Sequence, residues 1–163
     1  MRSAADFYAT PAWCVELVWP IIAPFYEGLT VLDPCAGDGA ILRALPGSVP
    51  RFGVELNPRR VLECSRAGGV GVLTNPPYSL VDAFIERSRA LCPNAPVTML
   101  LSVGFVGAQK RADLLRDPFD LYLLPRRPHF TGSGSAMAAY GWFSWGPHAT
   151  NTHRMLLCGL VIL

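Results

Sequence analysis

Charged side chains are scarce in this sequence of 163 residues. Asp, Glu, Lys and Arg make up 16% of it, against 51% hydrophobic residues, which argues against intrinsic disorder and predicts a well-packed globule. Lysine is almost missing, because thirteen of the fourteen basic residues are arginine, and the net charge is only +2. Proteins that follow a phosphate backbone usually have a more one-sided charge, so composition alone is weak evidence for a nucleic-acid partner.

Long apolar runs are missing as well. None reaches the roughly 18 to 20 residues that span a bilayer, since the stretch from Trp13 to Phe25 is interrupted by Glu16, Pro20 and Pro24. The first residues contain no apolar signal-peptide stretch. We therefore expect no membrane span and a cytoplasmic location.

The cysteines also lack a pattern. The five, at positions 14, 35, 64, 92 and 158, form neither a CxxC pair nor a cluster with histidine. This spacing predicts no metal site and no disulfide framework. We expect them to be reduced packing residues.

Helices and strands are predicted to alternate along most of the chain. Helices are expected over about 11–25, from Ala40, from Pro58, over about 80–91 and near 109–115, and strands over 29–34, 51–56, up to Asn75 and over 96–103. This alternation predicts an α/β fold, with a mostly parallel sheet and helices on both faces. The segments 121–125, 140–145 and 155–163 are interpreted as later strands, some of them antiparallel.

A glycine-rich turn, Asp33-Pro34-Cys35-Ala36-Gly37-Asp38-Gly39, follows the first predicted strand. The glycines allow a ligand to approach the backbone, and Asp33 can accept hydrogen bonds from a cationic amine. Two carboxylates without a lysine argue against a pyrophosphate ligand. Glu55 ends the next strand, where a carboxylate that binds ribose hydroxyls is expected. For Asp38, turn stabilisation and ligand contact are equally open.

The tetrapeptide Asn75-Pro76-Pro77-Tyr78 follows the third predicted strand. An aromatic amine is a poor nucleophile because its lone pair is delocalised into the ring. The Asn75 side-chain oxygen and the Pro76 carbonyl can accept hydrogen bonds from the two N–H groups and so direct the lone pair. Consecutive prolines restrict the backbone to an extended form, and Pro77 has no N–H to compete. Tyr78 can stack on a flat ring.

Together these segments resemble a known family. Residues 33–39, Glu55 and residues 75–78 resemble motifs I, II and IV of the class I S-adenosylmethionine-dependent methyltransferases that modify the N6 amine of adenine. The segment Phe7-Tyr8-Ala9-Thr10-Pro11 resembles their motif X, and the motif order is similar to that of the gamma group of DNA amino-methyltransferases. The resemblance implies a Rossmann-like class I methyltransferase fold, S-adenosyl-L-methionine as cofactor and DNA as partner.

The resemblance also implies residue roles. The catalytic residues would be Asn75, Pro76, Pro77 and Tyr78. The cofactor-binding residues would be Phe7, Thr10, Pro11, Asp33, Pro34, Ala36, Gly37, Gly39, Glu55, Leu56 and Asn75. The segments 124–132 and 140–145 resemble the tail of small phage-type adenine methyltransferases, so the expected substrate contacts are Tyr78, Arg126, Arg127 and Phe130. For the two arginines, phosphate contact and plain surface charge are equally open.

The sequence departs from the family pattern in two places. Only nineteen residues separate Glu55 from Asn75, so we expect a sheet that lacks or shortens one edge strand. Eighty-five residues follow Tyr78, which predicts a single domain over residues 1–163 without a separate target-recognition domain. We therefore expect weak sequence specificity, or recognition supplied by a partner or by a second copy in a homo-oligomer.

Other functions remain open. RNA is the nearest alternative substrate, and a protein glutamine-N5 methyltransferase would also have an Asn-Pro-Pro-Tyr motif. The segments 7–11 and 126–145 favour nucleic acid. The non-enzyme alternative is a trimmed scaffold or binding protein that no longer binds the cofactor efficiently.

Overall fold

The computed structural model describes residues 9–55, 69–107, 111–113, 116–130, 138–149 and 154–158. The helix predicted from Pro58, and most of the one near 109–115, lie outside these residues. The described part contains three α-helices and three 3₁₀ segments. The helices are α1 (Ala12–Ile22), α2 (Ala40–Ala44) and α3 (Val81–Leu91), and the 3₁₀ segments are Ala23–Tyr26, Tyr78–Leu80 and Val103–Gly107.

One sheet of seven strands forms the centre of the described fold, in the order β2-β1-β3-β4-β6-β5-β7. Its strands are β1 (Thr30–Asp33), β2 (Arg51–Gly53), β3 (Val70–Thr74), β4 (Val97–Ser102), β5 (Asp120–Leu123), β6 (Tyr140–Trp145) and β7 (Arg154–Leu157). Strands β2, β1, β3 and β4 are parallel neighbours, β6 is antiparallel to β4 and β5, and β7 is parallel to β5. Every described strand except β6 therefore runs in one direction, and the predicted mostly parallel α/β fold is confirmed.

Alternate residues of each strand pack against opposite faces of the sheet, as the two-residue period of a strand requires. One buried cluster joins the sheet to α1 and α2, and the other joins it to α3. The strand residues facing α1 include Val31, Leu73, Leu100, Tyr122 and Trp142, and those facing α3 include Leu32, Val72, Met99, Leu121 and Phe143.

Strand β6 corrects one expectation. From the sequence, Trp142, Phe143 and Trp145 are expected to alternate between the core and the outer face of a strand, yet all three are buried. The reason is that β6 lies inside the sheet, between β4 and β5, and helices or loops cover both of its faces. The Trp142 indole N–H donates to the Cys14 carbonyl at 2.9 Å and so attaches α1 to this strand.

Strand β2 is the outermost described strand on its side of the sheet. The strand that the family pattern places between Glu55 and Asn75 would fall within residues 56–68, which lie outside the described part. The trimmed edge therefore stays a prediction. Among the described helices, none combines the length and the apolar character needed to cross a bilayer.

The chain order of the strands determines where a ligand can enter. From β1 the chain moves to β2 on one side and then to β3 on the other, so the sheet has a switch point between β1 and β3. Ligands of open α/β sheets bind in the crevice beyond the strand carboxyl ends at such a point. We call this side of the sheet, where all strands except β6 end, the carboxyl edge.

Candidate active site

A cleft lies at the switch point between β1 and β3. It brings together the residues before α1, the glycine-rich loop after β1 and the first residue after β3. Five of the predicted site residues line it: Thr10, Asp33, Ala36, Gly37 and Asn75. The other lining residues are Ala9, Cys35, Asp38, Ala40 and Ile41.

The glycine-rich loop depends on left-handed backbone. Gly37 has a φ of 52° and Gly39 a φ of 79°, a region that other L-residues rarely adopt. A Cβ built on Gly39 would lie 3.5 Å from an Arg43 side-chain nitrogen, an ordinary contact. The left-handed backbone, rather than a lack of space for a side chain, therefore favours glycine at position 39. Helix α2 begins at the next residue.

Asp33 is a buried carboxylate in the cleft wall, with 1% of its surface exposed. Its Oδ1 accepts hydrogen bonds from the Thr74 hydroxyl at 2.6 Å and from the Cys35 N–H at 3.0 Å. These bonds join the ends of β1 and β3 and offset part of the cost of burying a carboxylate. The cleft wall thus contains a carboxylate, which suits a cationic ligand.

Glu55 and Asp38 both stabilise the loop. The Gly37 N–H donates to Glu55 Oε2 at 2.8 Å. Asp38 Oδ1 accepts from the Ala40 N–H at 3.1 Å, and its Oδ2 lies 3.0 Å from the Arg43 guanidinium. For Asp38 the structure shows turn stabilisation together with a place in the cleft wall. Glu55 is not among the cleft-lining residues, and ribose binding by it stays a prediction.

Asn75 is oriented by Thr10. The Asn75 side-chain nitrogen donates to the Thr10 hydroxyl at 3.1 Å, and Thr10 is only 5% exposed. The two residues are 65 positions apart, so this contact exists only in the folded chain. With the nitrogen directed at Thr10, Oδ1 is the acceptor end of the amide.

The two prolines after Asn75 are buried, and Pro77 has the extended backbone predicted for it, with φ −59° and ψ 133°. The Pro77 carbonyl accepts a hydrogen bond from the Leu80 N–H at 3.0 Å. In the described residues, no backbone N–H bonds to the Pro76 carbonyl. Within that part of the chain, no backbone hydrogen bond therefore competes for the Pro76 carbonyl, the predicted second acceptor.

Tyr78 lies on the surface above a buried arginine that sequence analysis missed. Its side chain is 64% exposed, whereas Arg111 is 4% exposed. The Arg111 guanidinium carbon lies 5.7 Å from the Tyr78 ring centroid and 4.4 Å from that of Phe105, and its Nε donates to Asp82 at 2.7 Å. Burial lowers the pKa of Arg111, but its interactions with Asp82 and Tyr78 outweigh burial and raise it overall. No local spacing relates Arg111 to these partners, so the sequence contains no signal for this cluster.

Comparisons with known proteins agree with this arrangement at the level of the fold. No family model matches the chain, and no curated protein matches it. Among solved structures, it is similar to a Listeria monocytogenes protein provisionally assigned to the class I S-adenosylmethionine-dependent methyltransferases. The match covers 96% of this chain and 67% of that chain, with a TM-score of 0.55 and 11% sequence identity. The chain has the class I methyltransferase fold.

Several predicted residues of this class I methyltransferase fold lie outside the cleft. Pro34 is buried in the loop after β1, and Gly39 is not among the residues lining the cleft. Phe130 packs edge-on against Tyr140, with 5.0 Å between ring centroids, and is partly buried against the α1 cluster. Phe7 and Leu56 lie outside the described residues. The substrate-binding role of Phe130 stays a prediction.

A second concave surface of the same fold contains the predicted Pro11, Arg126 and Arg127. Trp13 and His129, which sequence analysis did not assign to a site, also line it. The Arg126 guanidinium carbon lies 4.5 Å from the Trp13 ring centroid. These two residues are 113 positions apart in the chain, so only the folded structure shows their contact.

Proposed function

We propose that the chain is an S-adenosylmethionine-dependent methyltransferase that acts on the exocyclic N6 amine of adenine in DNA. The observation that supports this most directly is the position of Asn75. It lines one cleft with the glycine-rich loop, at the switch point of the sheet, and Thr10 orients its side chain. An amide acceptor is thereby placed next to a loop suited to a nucleoside.

The residues of the cleft suit S-adenosylmethionine, whose sulfonium and ammonium groups are cationic. The lining includes the carboxylates of Asp33 and Asp38 and, among the described residues, no basic side chain. A cofactor bound at this cleft would supply an electrophilic methyl group.

The chain's own residues would prepare the amine. Asn75 Oδ1 and the Pro76 carbonyl accept its two N–H groups, which favours a tetrahedral nitrogen and directs the lone pair toward the methyl group. A bound cofactor would donate its methyl group to the nitrogen held by Asn75 and Pro76 and would keep the electrons of the S–C bond, and solvent would take the surplus proton. Much of the rate would come from holding the reacting atoms in this geometry.

The exposed ring of Tyr78 favours a flat base over a glutamine side chain. Stacking on an aromatic ring stabilises an unstacked base by about 1 to 3 kcal/mol, which offsets part of the cost of taking a base out of a duplex. A carboxamide substrate gains less from such a surface. The same surface suits RNA, which remains the alternative nucleic-acid substrate.

Two measurements test this function. Calorimetry with S-adenosylmethionine should show binding, and incubation with labelled cofactor should place N6-methyladenine in DNA, as identified by mass spectrometry of nucleosides. Parallel reactions should contain single-stranded DNA, duplex DNA, RNA and a protein with an exposed glutamine loop. If label appears only in RNA or only in the protein, that molecule and not DNA is the substrate. If S-adenosylmethionine produces neither binding heat nor a thermal shift, the chain is better explained as a scaffold.

A further inference from the structure

The second concave surface lies directly beside the cleft. It is lined by Pro11, Trp13, Arg126, Arg127 and His129, and we call it the Trp13 shelf. Pro11 on the shelf is bonded to Thr10, which lines the cleft and contacts Asn75. A ligand on the shelf is therefore next to the proposed acceptor site.

Both walls of the shelf belong to the carboxyl edge of the sheet. Strand β5 ends at Leu123 and runs in the same direction as β1 and β3, so the segment 125–129 emerges on the same side as Asn75. The other wall is the first turn of α1, which the hydrogen bond from Trp142 to Cys14 attaches to the sheet. The two walls are thus fixed relative to the cleft.

The arginines of the shelf differ from four of the other seven described arginines. Arg126 and Arg127 are exposed, and within the described residues neither forms an ion pair with a carboxylate. Each of four others forms an ion pair with an aspartate: Arg43, Arg89, Arg111 and Arg116. The contact with the Trp13 ring holds the Arg126 guanidinium at the shelf without neutralising its charge. The shelf therefore presents two cations to solvent, of which Arg126 rests on an aromatic ring.

We propose that the Trp13 shelf binds the phosphodiester backbone of the nucleic-acid strand whose target base enters the cleft at Asn75. This inference rests on the proposed function. Guanidinium groups bind phosphate oxygens through paired hydrogen bonds, and one already held against a ring loses less entropy on binding. Backbone contacts of this kind determine the register of a strand without reading its sequence, so the shelf would position the strand and leave the choice of base to the cleft.

The test compares two double variants that remove the same charge. Arg126→Gln with Arg127→Gln alters the shelf, whereas Arg87→Gln with Arg116→Gln removes two exposed arginines from α3 and from the segment before β5. Binding of a labelled single-stranded oligonucleotide is measured by fluorescence anisotropy at several salt concentrations. Each lost phosphate contact reduces the slope of log K against log salt by about 0.7. We expect a decrease of about 1.4 for the shelf variant and no change for the control, with unchanged cofactor affinity in both.

Arg126→Lys provides a second comparison, because it keeps the charge but loses the planar fork. It should retain the wild-type salt slope and bind several-fold more weakly. If the two double variants have equal slopes, or if the wild-type protein binds no oligonucleotide, the shelf does not bind the phosphodiester backbone. If the shelf variant methylates DNA with the KM and the salt slope of the wild-type protein, the proposed role of the shelf is wrong and the proposed enzyme function is unaffected. A shelf-dependent salt slope without any methyl transfer would overturn the proposed enzyme function and leave the shelf standing.

Discussion

At the scale of single residues, Asn75 and Thr10 form the smallest unit on which the proposed chemistry depends. An amide presents one acceptor and one donor end, and only the acceptor end can receive an N–H from the target amine. The Thr10 hydroxyl contacts the Asn75 nitrogen, so the acceptor end of the amide points away from Thr10. Thr10, assigned from the resemblance to cofactor binding, thus has a positioning contact that the sequence did not predict.

Replacing Asn75 tests the acceptor directly. Asn75→Ala should reduce methyl transfer by about 10²- to 10³-fold, the usual effect of losing one oriented hydrogen-bond partner in the transition state. Cofactor affinity, measured by calorimetry, should remain nearly intact. Asn94→Ala is the matched control, because Asn94 is exposed and precedes β4 at the opposite edge. Unchanged turnover in Asn75→Ala would show that the acceptor mechanism is wrong.

Arg111 should support Tyr78 in the folded protein. Arg111→Met removes the Asp82 ion pair and the contact with the Phe105 ring, and should lower the free energy of unfolding by about 1 to 2 kcal/mol. The loss stays moderate because the Asp82 side chain is 39% exposed and can be hydrated. Urea titration measures this loss of unfolding free energy. The control Arg116→Met breaks an exposed ion pair and should change the unfolding free energy by less than about 0.5 kcal/mol.

Arg111→Met should also raise the KM for nucleic acid while leaving the cofactor affinity unchanged. An unaltered KM would mean that Arg111 does not position Tyr78.

At the scale of elements, the loop between β1 and α2 depends on its glycines. Gly39→Ala places a side chain on left-handed backbone and should cost about 1 to 2 kcal/mol of unfolding free energy. Gly47→Ala is the matched control, since a Cβ there meets nothing within 4 Å and its φ is not positive. It should leave stability unchanged or raise it by up to about 1 kcal/mol. Equal losses in the two variants, measured by thermal unfolding, would contradict the conformational argument.

The elements also show what the sequence could and could not predict. Strand β6 was predicted at its observed bounds, because apolar alternation is a local signal. The family resemblance, and no local pattern, implied that the loop and Asn75 share one site. The position of β6 between β4 and β5, which buries both of its faces, depends on pairing between distant segments. The same reason explains the missed contacts of Arg111 with Asp82 and of Trp13 with Arg126.

At the scale of the whole molecule, polar groups are placed within the packed layer between the sheet and α1. The Tyr26 hydroxyl donates to the Val72 carbonyl at 2.7 Å, and it lies 2.9 Å from the Thr98 hydroxyl. Thr98 in turn lies 2.7 Å from the Ser144 hydroxyl. These contacts join the 3₁₀ segment after α1 to three strands, so the α1 face is held by directed bonds as well as by apolar packing. Burial raises the pKa of Tyr26, which keeps its hydroxyl protonated for this role.

Buried thiols should make the stability of the folded chain decline in alkaline solution. Burial raises the pKa of Cys14 and Cys92 to about 12 and that of Cys158 to about 11, whereas unfolded thiols ionise near pH 8.5. Above that pH the unfolded state binds fewer protons than the folded state, so the free energy of unfolding falls as pH rises. The free energy of unfolding then falls by up to about 1.4 kcal/mol per pH unit for each thiol. This fall begins at a lower pH than the one at which an unfolded tyrosine such as Tyr26 would ionise, about 10. Urea titrations under reducing conditions at intervals from pH 8 to 10.5 measure it. Cys158→Ala should make the slope shallower by one thiol's share, and a flat profile would mean that these thiols ionise in the folded protein as readily as in the unfolded chain.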